Sequence, residues 1–289
     1  MSPRPGDRAS LTSRLLIYGL LVVFGLMTLL PFIWMLCASI KTKGDFYTSQ
    51  FLPPGHGFLG VAWDRLTLSQ FAQLFRDLPV ARAMLNSVFL ASVCSVVATL
   101  CCAAGGYGLA KFRFRGRETV TSAILGTVVV PTALLLGPSF ETLFHLGLVD
   151  HYAGFILPTL APAFGLYLFR QAMVNSVPPD IIEAARIDGC GEIRIFFQIV
   201  LPIIRPMLSA FLVISFIGIW NNFITPQIVL QSPERYPLSV AIFSLRGLYG
   251  DDNSLIMAGT LVAIAPVMLL FLLLQREFIS GLTSGAVKG

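Results

Sequence analysis

Charge is what this sequence has least of. Only 12% of its 289 residues are Asp, Glu, Lys or Arg, while 55% are hydrophobic; a soluble domain carries roughly 25% charged residues. So few polar side chains cannot cover a water-soluble body of this length, which argues against a large soluble helical core. Histidine is scarcer still. His145 and His151 fall in one loop with no third ligand in view, so loop surface is expected there and not a metal site. The five cysteines, Cys37, Cys94, Cys101, Cys102 and Cys190, pair with no histidine at metal-ligand spacing. They read as small apolar fillers or free thiols. No glycine-rich phosphate loop with Lys-Ser/Thr is present. Nor do the apolar runs hold a chain of carboxylates to relay protons. If this chain moves anything uphill, the energy comes from elsewhere, and no cofactor of its own is expected.

Long apolar runs are what it has in abundance, with a mean hydropathy of +0.79. About 20 mostly apolar residues cross a bilayer core. Six runs qualify: 15–40, 83–110, 120–140, 154–173, 207–230 and 255–279. The expected fold is therefore an all-α integral membrane protein of six spans in a single domain, 1–289, with the first span free to pack apart from the other five. That first run is too long for a signal-peptide core and no small-residue cleavage site follows it, so it reads as a retained span. The formal net charge of +5 does not point to nucleic acid, because of where the cations lie. Arg4, Arg8, Arg14, Lys111, Arg113, Arg115, Arg117, Arg170, Arg186, Arg194, Arg205, Arg276 and Lys288 all fall on one set of mostly short loops and termini. That asymmetry places those loops and both termini in the cytoplasm. Residues 41–82, 136–151 and 231–254 then lie outside. In the first of these, "LTLSQFAQLF" repeats Leu68, Phe71, Ala72 and Phe75 at helical spacing and predicts a short amphipathic helix. Pro31, Pro131, Pro158, Pro162, Pro226 and Pro266 interrupt or end the runs. Each reads either as an ordinary kink or as a break lining a path.

One cytoplasmic stretch stands apart. Residues 183–202, "EAARIDGCGEIRIFFQIVLP", carry five charges between apolar runs. Pro178 or Pro179 suits the first turn of a helix, Asp180 and Glu183 suit its positive end, and Gly189 suits its left-handed stop. A second helix is expected from about Gly191, with an apolar stripe of Ile193, Phe196, Phe197 and Val200 against the bundle. Two short helices joined at a glycine, with small side chains at Ala184 and Ala185 flanked by Glu183 and Arg186, suit a rigid plug for a groove on another protein. A hairpin with no partner would leave those faces unexplained.

This stretch resembles the cytoplasmic EAA loop of bacterial ATP-binding-cassette importer permeases. Glu183-Ala184-Ala185, then Gly189, then Ile199-x-Leu201-Pro202 match that pattern at every specified position, and Asp188 matches its common Asp-Gly pair. Cys190 replaces a usual alanine. The second-span stretch "LNSVFLASVCSVVATLCCAAGGYGLAKFRFRGR", "LGLVDHYAGFILP", "WNNFITP" and the tail "EFISGLTSGAVKG" look like carbohydrate-type permeases, the tail resembling the smaller permease subunit of the maltose type. Gly105-Gly106 in place of alanines and Glu141 in "GPSFETLF" depart from that pattern, and their role is open.

The resemblance implies a type I importer permease whose EAA coupling hairpin, 174–206, docks on an ATPase. The coupling residues it implies are Glu183, Ala184, Ala185, Arg186, Asp188, Gly189, Leu201 and Pro202. The implied partners are a second permease subunit, two ATP-binding-cassette ATPase subunits that bind ATP and Mg, and an extracytoplasmic sugar-binding protein. The implied location is the bacterial cytoplasmic membrane. The chain itself would be no enzyme. Asn221 and Asn222 are chosen as contacts for sugar hydroxyls, since amides both donate and accept, and Trp220 for stacking; the alternative is bonding between helices with an interfacial aromatic. Glycerol phosphate or another small solute, and a secondary transporter acting alone, remain as alternatives.

Overall fold

The computed structural model describes residues 11–249 and 252–286. Arg4, Arg8 and Lys288, placed in the cytoplasm by their sequence pattern, lie outside that range. Helices occupy most of the rest: α1 Leu11–Ser39, α2 Lys43–Thr48, α3 Ser69–Asp77, α4 Val80–Lys111, α5 Arg117–Val128, α6 Leu136–His145, α7 Tyr152–Thr159, α8 Ala163–Ser176, α9 Pro179–Ile187, α10 Glu192–Ile195, α11 Leu201–Ile203, α12 Arg205–Trp220, α13 Ile224–Val229, α14 Leu238–Tyr249 and α15 Asn253–Ala286. The strand pairing among the described residues is one isolated bridge between Pro54 and Val61.

Among the described residues four helical segments are long and apolar enough to cross a membrane, and six are if each sharply bent pair counts as one span. The bends revise two spans expected to be continuous. The third turns by 97° between α5 and the 132–145 segment, because Pro131 withholds an N–H and clashes with the preceding turn. The fifth stops at Trp220, and α13 resumes at Ile224.

The chain divides into two compact units, residues 1–78 with 245–262, and residues 79–244 with 263–289. In the first, α1 is exposed along nearly all its length, as suits a helix whose neighbours are lipid or protein. The segment after it is tied by polar bonds. Lys41, itself buried, donates to Ser49 O at 2.7 Å; Asp45 pairs with Arg65; Thr67 N donates to Ile40 O at 2.8 Å. The expected amphipathic helix exists as α3. Gln70 and Leu74 are its buried residues, while Leu68 and Phe75 are exposed. Gln70 faces inward with its side-chain amide N–H 3.4 Å from Lys41 O.

The second unit is organised on α4, which packs along α8 and α12. Small residues permit the close approach. A Cβ on Gly106 would stand 2.7 Å from Arg170 N and 2.8 Å from Phe169 C, so α4 and α8 meet backbone to backbone there. A core at one end of the unit gathers Tyr107, Phe169, Met173 and Phe211 with Ile182, Ala185, Ile195 and Val200 of residues 179–203. A second core at the other end holds Leu90, Cys94, Leu143, Phe155, Val229 and Leu230.

Candidate functional site

The polar stretch folds as two short helices that leave the bundle and return. Pro178 is extended and Pro179 stands in the first turn of α9, where its missing N–H costs nothing. Asp180 lies in that same turn, at the positive end of the helix. The helix stops at Gly189, whose φ is +81°. Gly189 N donates to Arg186 O at 3.0 Å and Cys190 N to Ala185 O at 2.9 Å, the bond pair that satisfies terminal carbonyls through one left-handed residue. No atom lies within 4 Å of where a Cβ on Gly189 would be, so glycine is required by conformation and not by space.

The structure sorts the candidate coupling residues into two groups. Glu183, Ala184, Arg186, Asp188 and Pro202 are exposed. Ala185 is buried with Ile182 in the core shared with α4 and α8, and Leu201 packs against that core. Ala185 therefore faces its own chain, contrary to its expected place on a partner surface: one α-helical step turns the chain by about 100°. The most exposed apolar side chain of the hairpin is Ile187, 86% exposed, which carries no motif signal in the sequence.

The second helix also departs from expectation. Phe196 and Val200 are buried as expected, but Ile193 and Phe197 are exposed, and Ile195 takes the inward place. The reason is a single π turn over Phe196–Val200. Its wider period puts Ile195, Val200 and Ile204 on one face, where a strict 3.6-residue repeat would not. The chain then turns by 82° between 192–203 and α12.

Electrostatics ties the two helices together. Arg186 Nε donates to Glu192 Oε1 at 2.6 Å, and Tyr107 Oη, near the end of α4, donates to Glu192 Oε2 at 2.7 Å. The Arg186 bond holds the Glu192 carboxyl below its usual range, helped by Tyr107 against the opposing effect of burial. One turn further along α4, Lys111 Nζ donates to Val177 O at 2.5 Å, just before α9. A cleft of about 570 Å3 beside α9 is lined by Lys111, Arg113, Arg117 and Arg186, with Glu183 as its one carboxylate. Its excess of positive charge suits an acidic group.

The residues chosen for a solute path are dispersed. Trp220 is buried; its indole N–H donates to Ala263 O at 3.2 Å and its ring stacks on Phe216 at 5.9 Å. Asn221 is exposed. Asn222 accepts from Thr225 N at 3.2 Å, holding the break before α13. It also lines a cleft of about 470 Å3 that collects the broken ends of three spans, with Thr132 and Ser139 from one, Pro158 and Thr159 from the second, and Asn222 and Thr225 from the third. Thr132, Ser139 and Thr159 carried no sequence signal beyond neighbouring prolines. Glu141 stands 4.0 Å from His145, both well exposed. No group of three or more potential metal ligands occurs among the described residues.

Comparison with known proteins places this architecture. Residues 4–278 match the family described as binding-protein-dependent transport system inner membrane component. The arabinooligosaccharides transport system permease protein AraQ of Halalkalibacterium halodurans is 36% identical over 225 residues, 78% of this chain and 80% of that protein. The lactose transport system permease protein LacG of Rhizobium radiobacter is 35% identical over 271 residues, covering 94% and 95%. Among solved structures, a chain of a bacterial ABC transporter that imports the acidic polysaccharide alginate superposes with a TM-score of 0.76 at 23% identity. That match covers 96% of this chain and all of the other, and at that identity it speaks to fold.

Proposed function

The chain belongs to the family of binding-protein-dependent transport system inner membrane components, and from that premise we propose that its 174–206 hairpin converts the closing of ATPase subunits into alternating access for a sugar. It is a membrane-embedded permease subunit of a carbohydrate importer of the ABC type, working with a binding protein and partner subunits. The carbohydrate names of its relatives favour a sugar over glycerol phosphate, and family membership leaves no place for a secondary transporter acting alone.

The observation that carries the coupling role is the hairpin itself. Glu183, Ala184, Arg186, Ile187 and Asp188 form an exposed face, while Ile182 and Ala185 root the same helix in the bundle core. A helix fixed on one side and open on the other moves as a body when a partner pushes it. In this reading two ATPase subunits, each holding a hairpin of one permease subunit, close on ATP and Mg. The hydrolysis is theirs, and this chain is not an enzyme. ATP shifts the transporter only by binding the closed arrangement more tightly than the open one. The basic cleft at Lys111, Arg113 and Arg117 receives acidic groups of the ATPase.

The hairpin, the 111–117 loop and both termini face the cytoplasm, in the bacterial cytoplasmic membrane. A sugar-binding protein meets the opposite side and passes cargo to a path shared with a second permease subunit. The cleft at the three helix breaks is this chain's part of that path. Asn222, Thr225, Thr132 and Ser139 offer it donors and acceptors. Trp220, with its N–H and ring already engaged, shapes the wall from behind. Reconstitution with the partner subunits and binding protein tests the reading: uptake of labelled lactose or an arabinooligosaccharide is expected to require both ATP and the binding protein. Accumulation of either sugar with the ATPase subunits deleted overturns it.

A further inference from the structure

We propose that α4 is a push rod that joins the cytoplasmic hairpin to the outer loop 231–238, gripping one at Tyr107 and Lys111 and the other at Asn86 and Ser87. The inference rests on the hairpin being the coupling element and adds the route by which its motion crosses the membrane.

At the inner end, Lys111 and Tyr107 are four residues apart and so lie on one face of α4. Lys111 holds the chain where it enters the hairpin, at Val177 O. Tyr107 holds it where the second helix starts, at Glu192, and Glu192 is bonded in turn to Arg186 of the first helix. The Tyr107 ring cannot swing away easily, because Phe112 and Phe196 stand against it at 5.4 Å and 5.6 Å. The entry of the hairpin and the junction between its two helices are thus fixed to a single turn of α4.

At the outer end the same helix makes a second two-point grip. Asn86 Nδ2 donates to Glu234 O at 2.9 Å and Tyr236 O at 3.0 Å, and Ser87 Oγ accepts from Leu238 N at 2.8 Å. Between the grips α4 runs without proline or interruption. The rise from Asn86 to Tyr107 is about 32 Å, roughly the thickness of the hydrocarbon core. The third span is bent by 97° within its length and the fifth is interrupted between Trp220 and Ile224, so neither carries an axial push as one rod. The loop at 231–238 lies on the side where a binding protein docks, so the rod links the two protein-docking faces.

Linkage makes this testable, because coupling between two sites is reciprocal. The affinity of the binding protein is measured on the assembled, reconstituted complex with and without a non-hydrolysable ATP analogue, for wild type, Tyr107→Phe, Asn86→Ala and the double variant. Co-purification of all subunits and an unchanged unfolding temperature confirm assembly. Each single variant is expected to shrink the nucleotide-dependent change in affinity by roughly fivefold, and the double variant no further than the larger single effect. Pairing Arg186→Glu with Glu192→Arg is expected to recover coupling lost in either alone, since arginine at 192 still meets both the carboxylate and the Tyr107 hydroxyl. Undiminished coupling in the single variants overturns the proposal, and so do effects that multiply in the double variant. A wild-type complex with neither ATP-driven uptake nor nucleotide-dependent affinity would instead sink the transport reading and carry this proposal down with it.

Discussion

Both polar ends of the 79–244 unit spend hydrogen bonds inside the chain, but they differ in what they leave exposed. The outer end is dense with internal bonds. Asp150 accepts from Gln231 N and Ser232 N at 2.9 Å each, from the Ser232 hydroxyl, and from Arg235 at 2.7 Å. These partners, the Ser232 hydroxyl foremost, lower its pKa to about 2. Asn86 binds the same loop and accepts from Tyr152 at 2.9 Å. At the inner end Glu183, Arg186 and Asp188 face outward beside an exposed Ile187. Polar groups that satisfy one another hold loops in place; exposed charges around an apolar residue have the composition of a docking surface's rim and centre, which is what the proposed coupling role requires of the inner end.

The contrast breaks most visibly at Asp150. Asp150→Ala removes the carboxylate that Arg235 and two loop N–H groups share, leaving Arg235 only the Asp150 backbone carbonyl, and about 1–2 kcal/mol of stability should be lost, read as a lower unfolding temperature in detergent. Its pH dependence has a definite sign. The folded pKa lies below the ordinary 3.8, so the stabilisation is full above about pH 4 and disappears as pH falls through about 2. The difference between wild type and Asp150→Asn should close over that window and stay flat above it.

Gly189→Val is the inner counterpart. Forcing a β-branched residue to φ +81° costs about 1–2 kcal/mol, borne by the hairpin. The unfolding temperature should barely move while stimulation of the ATPase by the binding protein falls sharply; normal stimulation would remove the hairpin geometry from the coupling step. Cysteine crosslinking sharpens the same contrast at single-residue scale. Glu183→Cys and Ile187→Cys should link to the ATPase subunit and the buried Ala185→Cys should not, and equal yields at all three would contradict the assigned face. The smallest effect belongs to Glu141→Gln, whose exposed 4.0 Å pair with His145 should contribute nothing measurable to stability or uptake.

Several of these features were legible in the residues alone. The Pro178-Pro179 start, the Gly189 stop and the spacing through Leu201-Pro202 are local rules, and the backbone obeys them. Which faces turn inward was less legible. The Phe196–Val200 π turn moves Ile195 inward and Phe197 outward against the 3.6-residue repeat. Gln70 lies inward on α3, its amide beside Lys41 O, 29 residues away in sequence, a placement the apolar pattern of that helix does not contain. Gly105-Gly106, without evident purpose in the sequence, gains one at Gly106 from the backbone of α8. Tyr107, Asn86 and Asp150 gave no local signal, because their partners lie 66 to 150 residues away in the sequence.

Composition and run length were enough to put this chain in a bilayer, since a long apolar stretch has one favourable solvent whatever surrounds it. Local chemistry was enough to place the hairpin, since caps and stops act within a few residues. Tertiary structure alone decided which hairpin residues face out, where the spans break relative to one another, and that one uninterrupted helix holds both ends of the unit. Those outcomes depend on contacts between distant segments, which the pattern of any one segment does not contain.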